Sequence, residues 1–199
     1  MLIDRLLITN DEFWDSPLKV VLATAFICLV APIQITEISY LPAALQIPIT
    51  LQTLVILLVA AILGPKRGAI AAFAYVCLGL LGLPVFSNGS GGFDILLKPT
   101  GGFLVSFIVG AFLCGKMTRS ETGASFLRIL SAFFLSHLLI LVIGFVWMNI
   151  RFDTDWFSIW QMISGLFWGV VIKSLLGAAL VSLAQWGMRK LIRLKVADF

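Results

Sequence analysis

The chain has 199 residues, 60% hydrophobic and only 12% charged, with a net charge of +4 and a mean hydropathy of +1.07. Soluble domains carry about 25% charged residues, so this composition argues against a water-soluble globule and for an integral membrane protein. Cys28, Cys77 and Cys114 lie in separate apolar runs with no CxxC pair, which suits small core side chains rather than metal or disulfide chemistry.

In chain order, residues 1–17 (MLIDRLLITNDEFWDSP) mix acids with apolar residues and lack the basic start of a secretory leader. They predict a cytoplasmic or interfacial segment. Six helical spans follow in one membrane domain over residues 1–199, at about 18–35, 49–63, 68–86, 101–115, 126–149 and 162–188. Their periods are helical, so the expected fold is an all-α bundle and not a barrel. Arg5, Lys19, Lys66, Arg67, Lys116, Arg119, Arg128, Arg189, Lys190, Arg193 and Lys195 fall at the two ends and in the second and fourth connections. By the positive-inside rule both termini are expected in the cytoplasm of a multi-pass plasma-membrane protein. The longer connections then face outward.

Thr50, Gln52 and Thr53 open the second span as PITLQT, and Tyr75 lies within the third, where a buried hydroxyl needs a partner. The third connection is different in kind. Between Gly82 and Gly102 the chain reads GLPVFSNGSGGFDILLKPTGG, with Asn88, Ser90, Lys98 and Thr100 among glycines. Glycines let the backbone approach a ligand closely, while Phe86, Phe93, Ile95 and Leu96 suit a loop folded over the bundle. A lid or binding loop is expected there.

Gly110 to Lys116, GAFLCGK, has the spacing of a phosphate-binding P-loop until Met117, where a hydroxyl should hold magnesium. It also lies in a membrane helix, so any ATP hydrolysis must come from another chain. His137, in the fifth span beside Ser136, reads as a hydrogen-bonded packing residue. No span holds an Asp or Glu, which disfavours an ion-coupled pump.

Lys173 is the sharpest signal. A lysine near the bilayer centre costs about 2.5–3.5 kcal/mol on insertion scales, and the interface is beyond the reach of its side chain. Gly165, Gly169 and Gly177 share its helical stripe, which predicts close packing and not lipid exposure. Contact with an anionic or polar ligand group is the expected role.

From Ile47 to Gly115 the pieces P-ITLQTL, GPKRGA, YVCLGLLGLPVFS, GSGG and PTGG occur in order, and this region resembles the BioY family. Those proteins are biotin-binding S components of energy-coupling factor transporters. The resemblance implies a biotin-binding subunit powered by a separate transmembrane coupling subunit and two ATPase subunits. Ala23, Ala25 and Ala31 of the first span offer small residues for such a partner. Biotin needs donors and acceptors for its ureido ring, apolar walls and one cation for its carboxylate. Thr50, Gln52, Tyr75, Asn88, Ser90 and Thr100 would serve the first, and Lys173, with Lys98 as second choice, the last.

The chain departs from the family's GD-x-x-K pattern, reading Gly169-Val170-Val171-Ile172-Lys173, and has Leu141 where tyrosine is common. No cofactor, metal or nucleic-acid partner is expected, and no His, Asp and Glu cluster suggests an enzyme. Two alternatives stay open: an S component for another vitamin, and a solitary or ion-coupled small-molecule transporter.

Overall fold

The computed structural model describes residues 12–37, 48–120, 123–153 and 155–197. Most of the N-terminal segment expected at the membrane surface lies outside these residues. The described chain forms six helices: α1 Glu12–Val30, α2 Gln52–Leu63, α3 Pro65–Leu80, α4 Gly101–Thr118, α5 Phe126–Phe152 and α6 Trp156–Ala197. The bundle is helical, as expected, with one addition. Gln34–Glu37 (β1) pairs antiparallel with Pro48–Thr50 (β2). The expected first span ran to Ile35; Pro32 ends the helix sooner, and the β-branched Ile33, Ile35 and Thr36 favour extended backbone.

Among the described residues three helical stretches are long and apolar enough to cross a membrane: α4, α5 and Phe157–Lys190 of α6. The apolar part of α1, Pro17–Val30, and α2 are shorter. At 1.5 Å per residue, α2 covers about 18 Å, well short of the roughly 30 Å of hydrocarbon. It tolerates this because it is central. Gln52, Leu54, Val55, Ile56, Leu57, Val59 and Ala60 are all buried, on more than one face, as expected of a helix enclosed by its neighbours.

The connection GPKRG is a tight turn. Gly64 takes φ 86°, its N–H bonds to the Ala60 carbonyl at 2.9 Å, and Pro65 begins α3. Gly then Pro ends one helix and starts the next, and Pro65 brings no N–H of its own to the new N-terminus. Gly68 faces Ala60 so closely that a Cβ there would lie 2.5 Å from the Ala60 Cα.

Helices α4 and α5 interlock through glycine notches. Gly102 receives the Trp147 side chain, Gly144 receives the Phe103 ring, and Gly110 receives Ile140. On α6, Gly177 receives the Phe133 ring, in keeping with the packing read from its stripe. The near-P-loop lies wholly in α4, where Gly115 packs on the backbone of the α2–α3 turn; its glycines serve packing. Helix α6 starts earlier than expected because Asp155 caps it. The Ser158 N–H and Oγ donate to the Asp155 carboxylate at 2.9 and 2.7 Å, and these bonds, the backbone one foremost, hold that carboxyl below its ordinary range.

Helix α1 turns Leu18, Val21, Leu22, Phe26 and Leu29 outward, with Ala25 on the same exposed side. Ala31 does not belong to that side. It is fully buried, so its small size serves the protein's own core.

Candidate functional site

The loop after α3 folds back on its own helix. Gly92, at φ 111°, donates its N–H to the Gly79 carbonyl at 2.8 Å, a conformation that L side chains rarely adopt. Phe86 N–H bonds to the Ser90 carbonyl at 3.0 Å, and Ser90 Oγ to the Ser87 carbonyl at 2.7 Å. The Phe86 ring is 2% exposed, fills the space above Gly79, and meets Tyr75 edge-on with centroids 5.5 Å apart. Ile95 and Leu96 pack on the core as well, whereas Phe93 is exposed. The loop is a built element, not a spacer.

Its anchor is a polar chain running from α2 to α3. Gln52 Nε2 donates to the Tyr75 hydroxyl at 2.6 Å, and that hydroxyl donates to the Val85 carbonyl at 3.0 Å. Ser87 Oγ donates to Gln52 Oε1 at 3.3 Å. Both ends of the Gln52 carboxamide therefore hold the loop. The Thr50 hydroxyl accepts the Gln52 N–H at 3.3 Å, supporting the first turn of α2.

Beneath the loop lies a cavity of about 240 Å³, near the lower end of the range for small-ligand sites. Thr50, Gln52, Asn88, Ser90, Thr100 and Lys173 line it, bringing together helices α2 and α6, the loop and the start of α4. Asn88 does so from a left-handed backbone, φ 58°, which asparagine tolerates better than most residues. Apolar walls come from Phe103, Phe107, Ile140 and Leu166.

Two of the residues singled out from sequence lie elsewhere. Tyr75 is fully buried behind Gln52, and its hydroxyl is engaged by protein. Lys98 is 58% exposed and pairs with Asp94 one turn earlier at 2.9 Å, which draws it toward solvent and away from the cavity. The hydrogen bond from Lys98 holds the Asp94 carboxyl below its ordinary range.

The cavity also takes in residues that sequence reasoning did not place in the site. From sequence, Thr53 belongs only to the opening of the second span and His137 only to packing. Both line the cavity, His137 Nε2 lying 3.2 Å from Thr53 Oγ1 and His137 Nδ1 2.9 Å from the Phe133 carbonyl. Lys173 Nζ donates to Thr53 Oγ1 at 3.2 Å. The three residues lie on three helices, and their sequence separations of 84 and 120 residues gave no local signal. Val170 lines the same wall one turn before Lys173. Among the described lining residues Lys173 is the one charged at neutral pH, so the cavity is a neutral, partly apolar chamber with a single cation.

The BioY family profile matches residues 10–193. The chain belongs to the BioY family. Relatives named as biotin transporters include the BioY protein of Thermotoga maritima, 47% identical over 75 residues, or 38% of this chain and 44% of that protein. That alignment covers less than half of the Thermotoga protein. Two Lactococcus lactis proteins align at greater length: BioY2 at 34% identity over 69% of this chain and 71% of its own, and BioY at 31% over 79% and 84%. A crystal structure of the S component for biotin from an ECF-type ABC transporter superposes with a TM-score of 0.73 at 28% identity, covering 87% of this chain and 92% of that one. This BioY chain thus has an S-component fold and is a multi-pass membrane protein; the relatives it resembles are named as transporters, not enzymes.

Proposed function

We propose that this BioY chain is the biotin-binding subunit of an uptake system in the plasma membrane, with both termini in the cytoplasm. The observation that carries the reading is Lys173. A single ammonium inside an otherwise neutral cavity of an S-component fold supports a ligand with an electronegative group that meets it. The biotin carboxylate is the natural partner, since burying an anion demands a cation and no other lines the described cavity. The ureido ring then faces Asn88, Ser90, Thr50 and Thr100, between the loop and the start of α4, and the thioether ring meets the phenylalanines.

Energy is supplied by separate subunits: a transmembrane coupling partner and two ATPases. The exposed face of α1 around Ala25 is the surface this reading gives to that partner. Arg and Lys asymmetry supports a loop on the outer face, and in this reading biotin enters from there.

A vitamin screen by thermal shift tests the ligand. Biotin at about a hundred times its Kd should add roughly 2.7 kcal/mol to the stability of the purified protein, while thiamine, riboflavin and folate add nothing. A rise with one of those vitamins and none with biotin would reassign the site. Orientation is tested separately by thiol labelling on a background without the native cysteines. Asn88→Cys should react with an impermeant reagent in intact cells, and Lys66→Cys only after permeabilisation. The reverse pattern would turn the cavity mouth to the cytoplasm.

A further inference from the structure

Thr53 of α2 stands between His137 of α5 and Lys173 of α6, and the direction of each hydrogen bond can be worked out. The Phe133 carbonyl can only accept, so His137 Nδ1, 2.9 Å away, carries the ring hydrogen. Ser174 Oγ, 3.3 Å from the same nitrogen, shares that hydrogen as a second acceptor. A second proton on the ring would set two cations on one hydroxyl, and no carboxylate lines the cavity among the described residues. Nε2 of the neutral ring therefore accepts. The single hydroxyl hydrogen of Thr53 goes to it, at 3.2 Å. Toward Lys173, Thr53 is left with lone pairs alone.

We infer that Thr53 is a positioning residue: oriented by His137, it accepts one N–H of the Lys173 ammonium and holds the others toward the ligand. A lysine has three N–H donors, so two stay available. Without this hold, a flexible four-carbon stem would sample many orientations, and binding would have to freeze it. The inference rests on the cavity being the ligand site, but not on which end of biotin reaches Lys173. A hydroxyl that merely satisfied buried groups would show the same bonds yet would not be coupled to Lys173 in ligand affinity.

The chain has one histidine, so selective 15N-histidine labelling of the full-length protein in detergent reports a single imidazole. Wild type should show the Nδ1-protonated tautomer with Nε2 accepting a hydrogen bond. Thr53→Val should move the Nε2 resonance and leave Nδ1 in place, and Thr53→Ser should restore it. In biotin titrations, Thr53→Val should lose about tenfold in affinity, as for one hydrogen bond to a charged group. Thr53→Ser should stay within about threefold of wild type, and Thr53→Val combined with Lys173→Met should bind within about twofold of Lys173→Met alone. An Nε2-protonated ring, an Nε2 resonance unmoved by Thr53→Val, or losses that add in full would overturn the inference. If Thr53→Val does not fold, His137→Asn takes its place in the same cycle with Lys173→Met. Failure of wild type to bind biotin would instead sink the vitamin reading; the tautomer and its response to Thr53→Val would still test the bonds beneath the inference, and the coupling of Thr53 with Lys173 would be read with the vitamin that does bind.

Discussion

Lys173→Met is expected to weaken biotin binding by about tenfold to a few thousandfold while leaving the protein folded. Methionine keeps an apolar stem of similar length and removes an ammonium that is costly at mid-membrane. Lys173 has Thr53 as its described hydrogen-bond partner and no carboxylate in the cavity wall, so its removal strands no buried anion of the protein. Stability without ligand should therefore hold or rise. Calorimetric titration and a melting curve on the same sample check both halves. A variant that unfolds, or one that binds biotin as tightly as wild type, would mark Lys173 as structural.

Gly115→Ala should cause a large loss of stability for a single added methyl at a helix interface. A Cβ at Gly115 would lie 2.7 Å from Gly64 C and Pro65 N and 2.8 Å from the Ala60 carbonyl oxygen. These are backbone atoms of the last turn of α2 and of the turn that joins it to α3, and none can rotate aside. Overpacking of this kind costs about 1–3 kcal/mol, occasionally more. For a chain of this size the melting temperature falls by roughly 2–4 °C per kcal/mol. Gly187 has open space around it, so Gly187→Ala is the control and should leave stability unchanged or slightly raised. Equal melting temperatures for the two variants would show that the α4 contact with this turn is loose.

Much of the architecture was legible from the chain because hydrophobic runs and glycine placement act locally. GPKRG announces a helix end and a helix start through Gly64 and Pro65 alone, and the structure forms that turn. The span limits were less legible. Pro32 and its β-branched neighbours stop α1 before Ile35, and the pairing of Gln34–Glu37 with Pro48–Thr50 depends on two segments meeting across a connection. Asp155 starts α6 several residues before the apolar run at Met162, because capping is set by one side chain and not by hydropathy.

The cavity wall divides in the same way. Lys173 was conspicuous because its charge conflicts with its surroundings, and Asn88 and Ser90 because their loop composition conflicts with an oily chain. Thr53 and His137 carried no such conflict, since a threonine at a helix start and a lone histidine in a helix fit their segments. Only the packing of α2 against α5 and α6 brings them to Lys173. Lys98 misled for a related reason. Its neighbour Asp94 was visible in the sequence, but the short 3-10 turn over Phe93–Leu97 that aligns the two was not.

In the proposed function the ammonium of Lys173 meets the biotin carboxylate inside the cavity under the glycine-rich loop. Comparative titration of purified wild type with biotin and with biotin amide tests it most directly. The amide keeps both rings and the valeryl chain and removes only the negative charge, so it should bind at least about tenfold more weakly than biotin. Equal affinity for the two would contradict the account and turn Lys173 toward the ureido end of the ligand.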